Sequence, residues 1–157
     1  MIWGGIGYQF KTDLVIIEGT LNSEDYIEQI IFGSNLIEEA DKKYGIGEWT
    51  HMQDNARPHI SKETMCVLNE LEINILKDWP PYSPDLNIIE VVWAIMETRV
   101  EALQPKTIND LVKIVKDVWE ALQWQTINGL VMSISKRLRI VNATPDRTIF
   151  RLYGDPE

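Results

Sequence analysis

The chain has 157 residues, 45% of them apolar, and carries a formal net charge of -9 with a sequence pI of about 4.7. That length buries a core without metals or disulfides, so one domain over residues 1–157 is expected. The acidic balance argues against a chain that holds DNA through its own basic footprint, because phosphate neutralisation supplies much of such affinity.

From the N-terminus, Ile2 to Tyr8 and Leu14 to Ile17 read as two strands joined by a polar turn near Lys11-Thr12-Asp13. Gly4-Gly5 marks a bulge or a close backbone approach. Asn22 or Ser23 caps a helix with Tyr26, Ile27, Ile30 and Ile31 on one side, and a second helix runs from Leu36 to Lys43 until Gly45 and Gly47 break it. Trp49 to Asp54 is the next strand. Ser61 caps a helix with Met65, Leu68 and Leu71 spaced three apart, and Ile73 to Leu76 reads as a strand. No helix can run through the proline-rich turn Trp79-Pro80-Pro81-Tyr82-Ser83-Pro84. Asn87 to Val100 carries an apolar stripe at Ile89, Val92, Trp93, Met96 and Val100. Thr107 caps a helix with Ile108, Leu111, Val115, Val118, Trp119 and Leu122 inward, its spacing to Asp110 fitting a capping box. A last helix carries Ile127, Leu130, Val131, Ile134 and Leu138. Strands and helices mixed in this order predict an α/β fold with a helical C-terminal end.

Two carboxylates stand out. Asp54 closes the strand-like run and is followed by Asn55-Ala56-Arg57-Pro58, which turns the chain. Glu90 sits in the first turn of the Asn87 helix, on the edge of its apolar stripe. Carboxylates from separate elements can hold hard divalent cations through oxygen. Each also has a plainer reading: a turn aspartate bonded to its own backbone for Asp54, and a capping box with Asn87 for Glu90. His59 reads as a turn histidine. His51, His59 and the single cysteine, Cys66, make a poor zinc set, and one cysteine excludes an internal disulfide. No run of about 18 apolar residues predicts a membrane span, and the N-terminus shows no signal-peptide pattern. The densest basic run, Lys136-Arg137-Leu138-Arg139, is most simply a solvated helix face.

Taken together, the motifs resemble mariner-type transposases of the DDE superfamily. Gln53-Asp54-Asn55-Ala56-Arg57-Pro58-His59 is similar to the second-acid signature of that family. Trp79-Pro80-Pro81-Tyr82-Ser83-Pro84-Asp85-Leu86-Asn87-Ile88-Ile89-Glu90, with Trp93, is similar to its third-acid signature. Positions 55 to 89, 35 residues, separate the two acids, a spacing in the family's range. Trp3-Gly4-Gly5, Glu18-Gly19-Thr20-Leu21-Asn22 and Tyr26 resemble the hairpin and helix that precede the second acid, and Ser133 to Val141 resembles the closing helix.

The resemblance implies a ribonuclease-H-like catalytic core that cuts and joins DNA ends with two Mg²⁺ (or Mn²⁺) ions. It implies Asp54 and Glu90 as catalytic metal ligands, with Asn55 and Asn87 at most behind them, and Asn87 expected to cap its helix. DNA, as transposon ends and target, is the implied partner, weak for so acidic a fragment; a homodimer is an assembly it leaves room for. The setting is the nucleus in a eukaryote and the cytoplasm otherwise, with no membrane. The family's first acid lies upstream of the Trp-Gly segment, so the expectation is a truncated core without its first, central strand, inactive alone. Ile88 stands where the family often has proline, a position proline favours but does not require. The alternatives are a non-catalytic remnant acting through protein contacts and an unrelated helical adaptor.

Overall fold

The computed structural model describes residues 1–77, 79, 83 and 86–143. The chain divides into two compact units, residues 1–6 with 10–81, and residues 7–9 with 82–157.

The first unit is mixed α/β. The expected first strand is two short ones: β1 (Ile2–Trp3) pairs antiparallel with β4 (Val15–Ile16), while β2 (Ile6–Gly7) pairs with β3 (Phe10–Lys11). The turn therefore falls at Tyr8-Gln9 rather than at Lys11-Thr12-Asp13, and Gln9 takes a left-handed φ of 53°. Thr12 explains the difference. It is buried, its hydroxyl accepts from Gly5 N–H at 2.9 Å, and its own N–H donates to Gly5 O at 2.9 Å. A Cβ on Gly5 would stand 3.2 Å from Thr12 Cγ2, the close approach expected there.

Asn22 caps α1 (Ser23–Asp25) by accepting from Asp25 N–H at 2.9 Å. The helix continues as a π-helical segment, Tyr26–Phe32. Bonding i to i+5 widens the turn, so that Tyr26, Ile30 and Ile31 are all buried. With Ile17 and Leu68 they form the main core of this unit, against which Trp3, Val15, Val67, Ile73 and Ile75 pack. Gly33 ends the segment where a Cβ would meet Glu28 O at 2.7 Å and Gln29 O at 2.8 Å. Both are backbone atoms that cannot swing aside. Gly33→Ala is expected to cost about 1–3 kcal/mol, the usual range for overpacking. Urea unfolding followed by tryptophan fluorescence measures it, and an unchanged midpoint would show that the wide turn absorbs a methyl group.

The α2 helix (Leu36–Tyr44) ends at Gly45 as expected and buries Leu36 and Ala40 against Phe10. β5 (Thr50–His51) pairs parallel with β6 (Asn74–Ile75) through α3 (Lys62–Glu70), a right-sized β-α-β connection. Ser61 caps α3 as expected, accepting from Thr64 N–H at 3.1 Å. The buried residues of α3 are Thr64 and Leu68, and Leu71 is exposed. Thr64 can go inside because its hydroxyl donates to Pro58 O at 2.6 Å. Each described strand is two residues long, and the hairpin shares no ladder with β5.

The second unit is helical. α4 (Ile88–Leu103) buries Ile88, Val92 and Met96 and packs against α5 (Ile108–Glu120) and α6 (Trp124–Ala143). The expected capping box on α5 is present: Thr107 Oγ1 accepts from Asp110 N–H and Asp110 Oδ2 from Thr107 N–H, both at 3.1 Å. Val118, Trp119 and Leu122 are buried, whereas Ile108 and Leu111 are exposed. Trp119 stacks on Trp93 at 5.7 Å between ring centroids. Ile127 is the buried residue of α6, and Leu138 is exposed. Most of the proline-rich turn lies outside the described residues; Trp79 and Ser83 fall within them. Among the described residues no helix is long and apolar enough to cross a membrane.

Candidate active site

Asp54 does not end a strand. It lies three positions past β5, in the loop that leads to α3. Its Oδ1 accepts from Ala56 N–H at 2.9 Å, the self-bonded turn that an aspartate in this sequence invites. The same oxygen stands 2.6 Å from His59 Nδ1. The Asp54 side chain is 52% exposed and that of His59 16%. Asn55 is a tether: its Nδ2 donates to Trp79 O at 3.1 Å and fixes the loop from the other side.

Behind the loop, Tyr26 hydroxyl donates to Gln53 Oε1 at 2.9 Å, and Gln53 Nε2 donates to His59 O at 3.0 Å. The His59 ring lies on Tyr26, 4.4 Å between centroids. Burial, and then the negative charge of Asp54, push the Tyr26 phenol well above its ordinary pKa, so it remains a donor. His51, in β5, is held down to about 4 by burial first and by the charge of His59 second, against a hydrogen bond with Gln53 that raises it.

Glu90 belongs to the second unit, in the first turn of α4, exposed. The capping box expected for it does not form. Asn87 occupies the N-cap position, but its side chain makes no capping bond, and its Oδ1 is buried without a partner. The cap is built from backbone instead, Glu90 N–H donating to Asn87 O at 3.1 Å and Asn87 N–H to Ser83 O at 3.3 Å. The Glu90 carboxylate has no partner among the described residues.

The donors suit a hard divalent cation in kind. Asp54 Oδ2 and the Glu90 carboxylate are accessible oxygens without a described partner, and such oxygens are what Mg²⁺ and Mn²⁺ take. Among the described residues no cluster of three or more His, Cys, Asp or Glu side chains comes together to hold an ion. What sequence reasoning underrated is His59. Its place five residues after Asp54, across Pro58, was the available signal: a turn that tight returns the ring to the carboxylate.

A family model described as DDE superfamily endonuclease matches residues 2–112, a span that includes both Asp54 and Glu90. The chain is similar to the transposable element Tc3 transposase of Caenorhabditis elegans, 32% identical over 145 residues, 88% of this chain and 41% of that protein. It is also similar to the transposable element Tcb1 transposase of Caenorhabditis briggsae, 26% identical over 141 residues, 90% of this chain and 50% of that protein. The chain thus spans half or less of the length of these relatives. By the extent of the family match and the order of its motifs, this chain belongs to the DDE superfamily of endonucleases.

Proposed function

We propose that the chain is part of the catalytic core of a mariner-type DNA transposase, ribonuclease-H-like in fold, in which Asp54 and Glu90 are the second and third acids and hold Mg²⁺ or Mn²⁺. One observation carries the reading: the family match covers residues 2–112, the span in which both Asp54 and Glu90 lie. Carboxylate oxygens without a partner among the described residues, at both positions, support it. Bound ions of this kind activate an attacking water and stabilise the leaving oxygen at a phosphodiester. The chain's own part is to present Asp54 from a tethered loop and Glu90 from a helix start, each facing water, where a cation and DNA can reach it. DNA ends and target are the substrates on this reading, the nucleus of a eukaryotic cell is the setting, and a homodimer is the assembly that would handle two ends.

Iron cleavage mapping tests the ligand assignment. Fe²⁺ with ascorbate and peroxide cuts the backbone where it binds, and mass spectrometry locates the cuts. Scission is expected near both Asp54 and Glu90, suppressed by Mg²⁺, lost near Asp54 in Asp54→Asn and near Glu90 in Glu90→Gln. Cuts confined to other parts of the chain would reject the assignment.

The isolated chain is also expected to leave supercoiled DNA intact with Mg²⁺ or Mn²⁺, because two carboxylates underdetermine a two-metal centre. Nicking by the pure 157-residue protein that disappears in Glu90→Gln would overturn this expectation. A non-catalytic remnant differs in one respect: it has no use for the cation, and the iron map then shows no cut at either acid.

A further inference from the structure

The geometry points to His59 as the residue that positions Asp54, and we propose that it fixes which oxygen Asp54 offers to a cation; this rests on the reading of Asp54 as a metal ligand. Two donors hold the Asp54 carboxylate, Ala56 N–H at 2.9 Å and His59 Nδ1 at 2.6 Å, and both end on Oδ1. An ionised carboxylate only accepts, so His59 Nδ1 carries the proton. With Oδ1 pinned twice, the carboxylate cannot spin about its Cβ–Cγ bond, and Oδ2 points one way. That oxygen has no partner among the described residues, on a side chain that is 52% exposed. A cation that takes it meets a ligand already ordered, which is how supporting residues strengthen metal sites.

His59 can do this because it is itself held. Its ring lies on Tyr26, its carbonyl accepts from Gln53 Nε2, and its N–H donates to Ala56 O at 2.9 Å. Gln53 in turn accepts from the hydroxyl of Tyr26, which is wholly buried in the core of the first unit. The chain of contacts Tyr26–Gln53–His59–Asp54 therefore runs from a rigid core to a half-exposed carboxylate. A histidine that merely filled space would not need Nδ1 at 2.6 Å from such a group, because a bond to an exposed carboxylate adds little to stability.

The test titrates the full 157-residue chain with Mn²⁺ and reads the free ion by electron paramagnetic resonance. His59→Ala is expected to weaken binding about tenfold, the lower range for losing a supporting partner. His59→Asn, whose amide nitrogen reaches about where Nδ1 stands, is expected to restore most of it, and His59→Gln, one carbon longer, is not. A space-filling role lowers thermal stability in all three without separating Asn from Gln. Unchanged Mn²⁺ affinity in His59→Ala beside a loss in Asp54→Asn overturns the positioning role alone. Equal affinity in Asp54→Asn and the unaltered chain overturns the ligand reading and this inference with it. Should His59→Ala fail to fold, the Asn and Gln pair still decides. So does the imidazole ¹⁵N spectrum of the ion-free chain, where an unprotonated Nδ1 on His59 overturns the proposal.

Discussion

Tyr26→Ala is expected to cost the first unit about 3–5 kcal/mol, the range for deleting a large buried aromatic. Tyr26 is wholly buried beside Ile17, Ile30, Ile31 and Leu68, so its ring cannot be replaced by water without opening a cavity. Tyr26→Phe separates the hydroxyl from the ring. It keeps the packing and leaves Gln53 Oε1 without its donor, which is expected to cost about 1–3 kcal/mol. The two variants also divide the site's supports. The alanine variant removes the surface on which His59 lies, and the phenylalanine variant only slackens Gln53. Urea unfolding at neutral pH gives both values. A cost for Tyr26→Ala below that of Tyr26→Phe would mean that the core collapses around the deletion and does not anchor the loop.

The position of Tyr26 shows what the sequence could and could not convey. Helical spacing already put Tyr26, Ile27, Ile30 and Ile31 together, and three of the four are buried. The π-helical turn that brings residues four and five apart onto one face leaves no composition signal except Gly33 at its end. Capping was legible where a side-chain oxygen meets a free N–H three residues on, at Asn22, Ser61 and Thr107. It failed at Asn87, whose Oδ1 is buried and makes no capping bond.

The strands were found but drawn too long. Their two-residue ladders depend on partners far along the chain, such as Thr50 with Asn74, and local pattern does not encode where such pairing stops. Apolar periodicity also misplaced Ile108 and Leu111, which are exposed, and passed over Thr64, which is buried because Pro58 supplies an acceptor. For the candidate site, the family resemblance singled out Asp54 and Glu90, which residue type alone read as a turn aspartate and a capping glutamate. The contacts that hold Asp54 come from a turn closing on itself, and spacing alone does not say which nitrogen of His59 faces the carboxylate.

Acid is expected to weaken the strand that leads to Asp54. His51 pairs with Ile75 in the β5–β6 ladder, its Nε2 is buried without a partner, and Trp49 stands edge-on to it at 6.5 Å. Burial first, and then the charge of His59, bring its pKa to about 4, below the 6.5 of an unperturbed histidine. Above pH 6.5 the ring is neutral in both folded and unfolded chains, and its full contribution to stability is present. As pH falls from 6.5 towards 4, the unfolded chain takes up a proton that the folded chain refuses, so stability falls with pH. Below about 4 both states are protonated and the contribution is gone. At about 1.4 kcal/mol for each tenfold change in proton affinity, the loss is at most roughly 3.5 kcal/mol. His51→Gln carries no titrating group, and subtracting its unfolding free energy at each pH cancels the carboxylates. The difference between the two proteins is expected to be flat above pH 6.5 and to change by up to that amount on the way to pH 4, against the histidine. Parallel curves across the whole range would place the His51 ring in water and remove this acid-sensitive point from the approach to the candidate site.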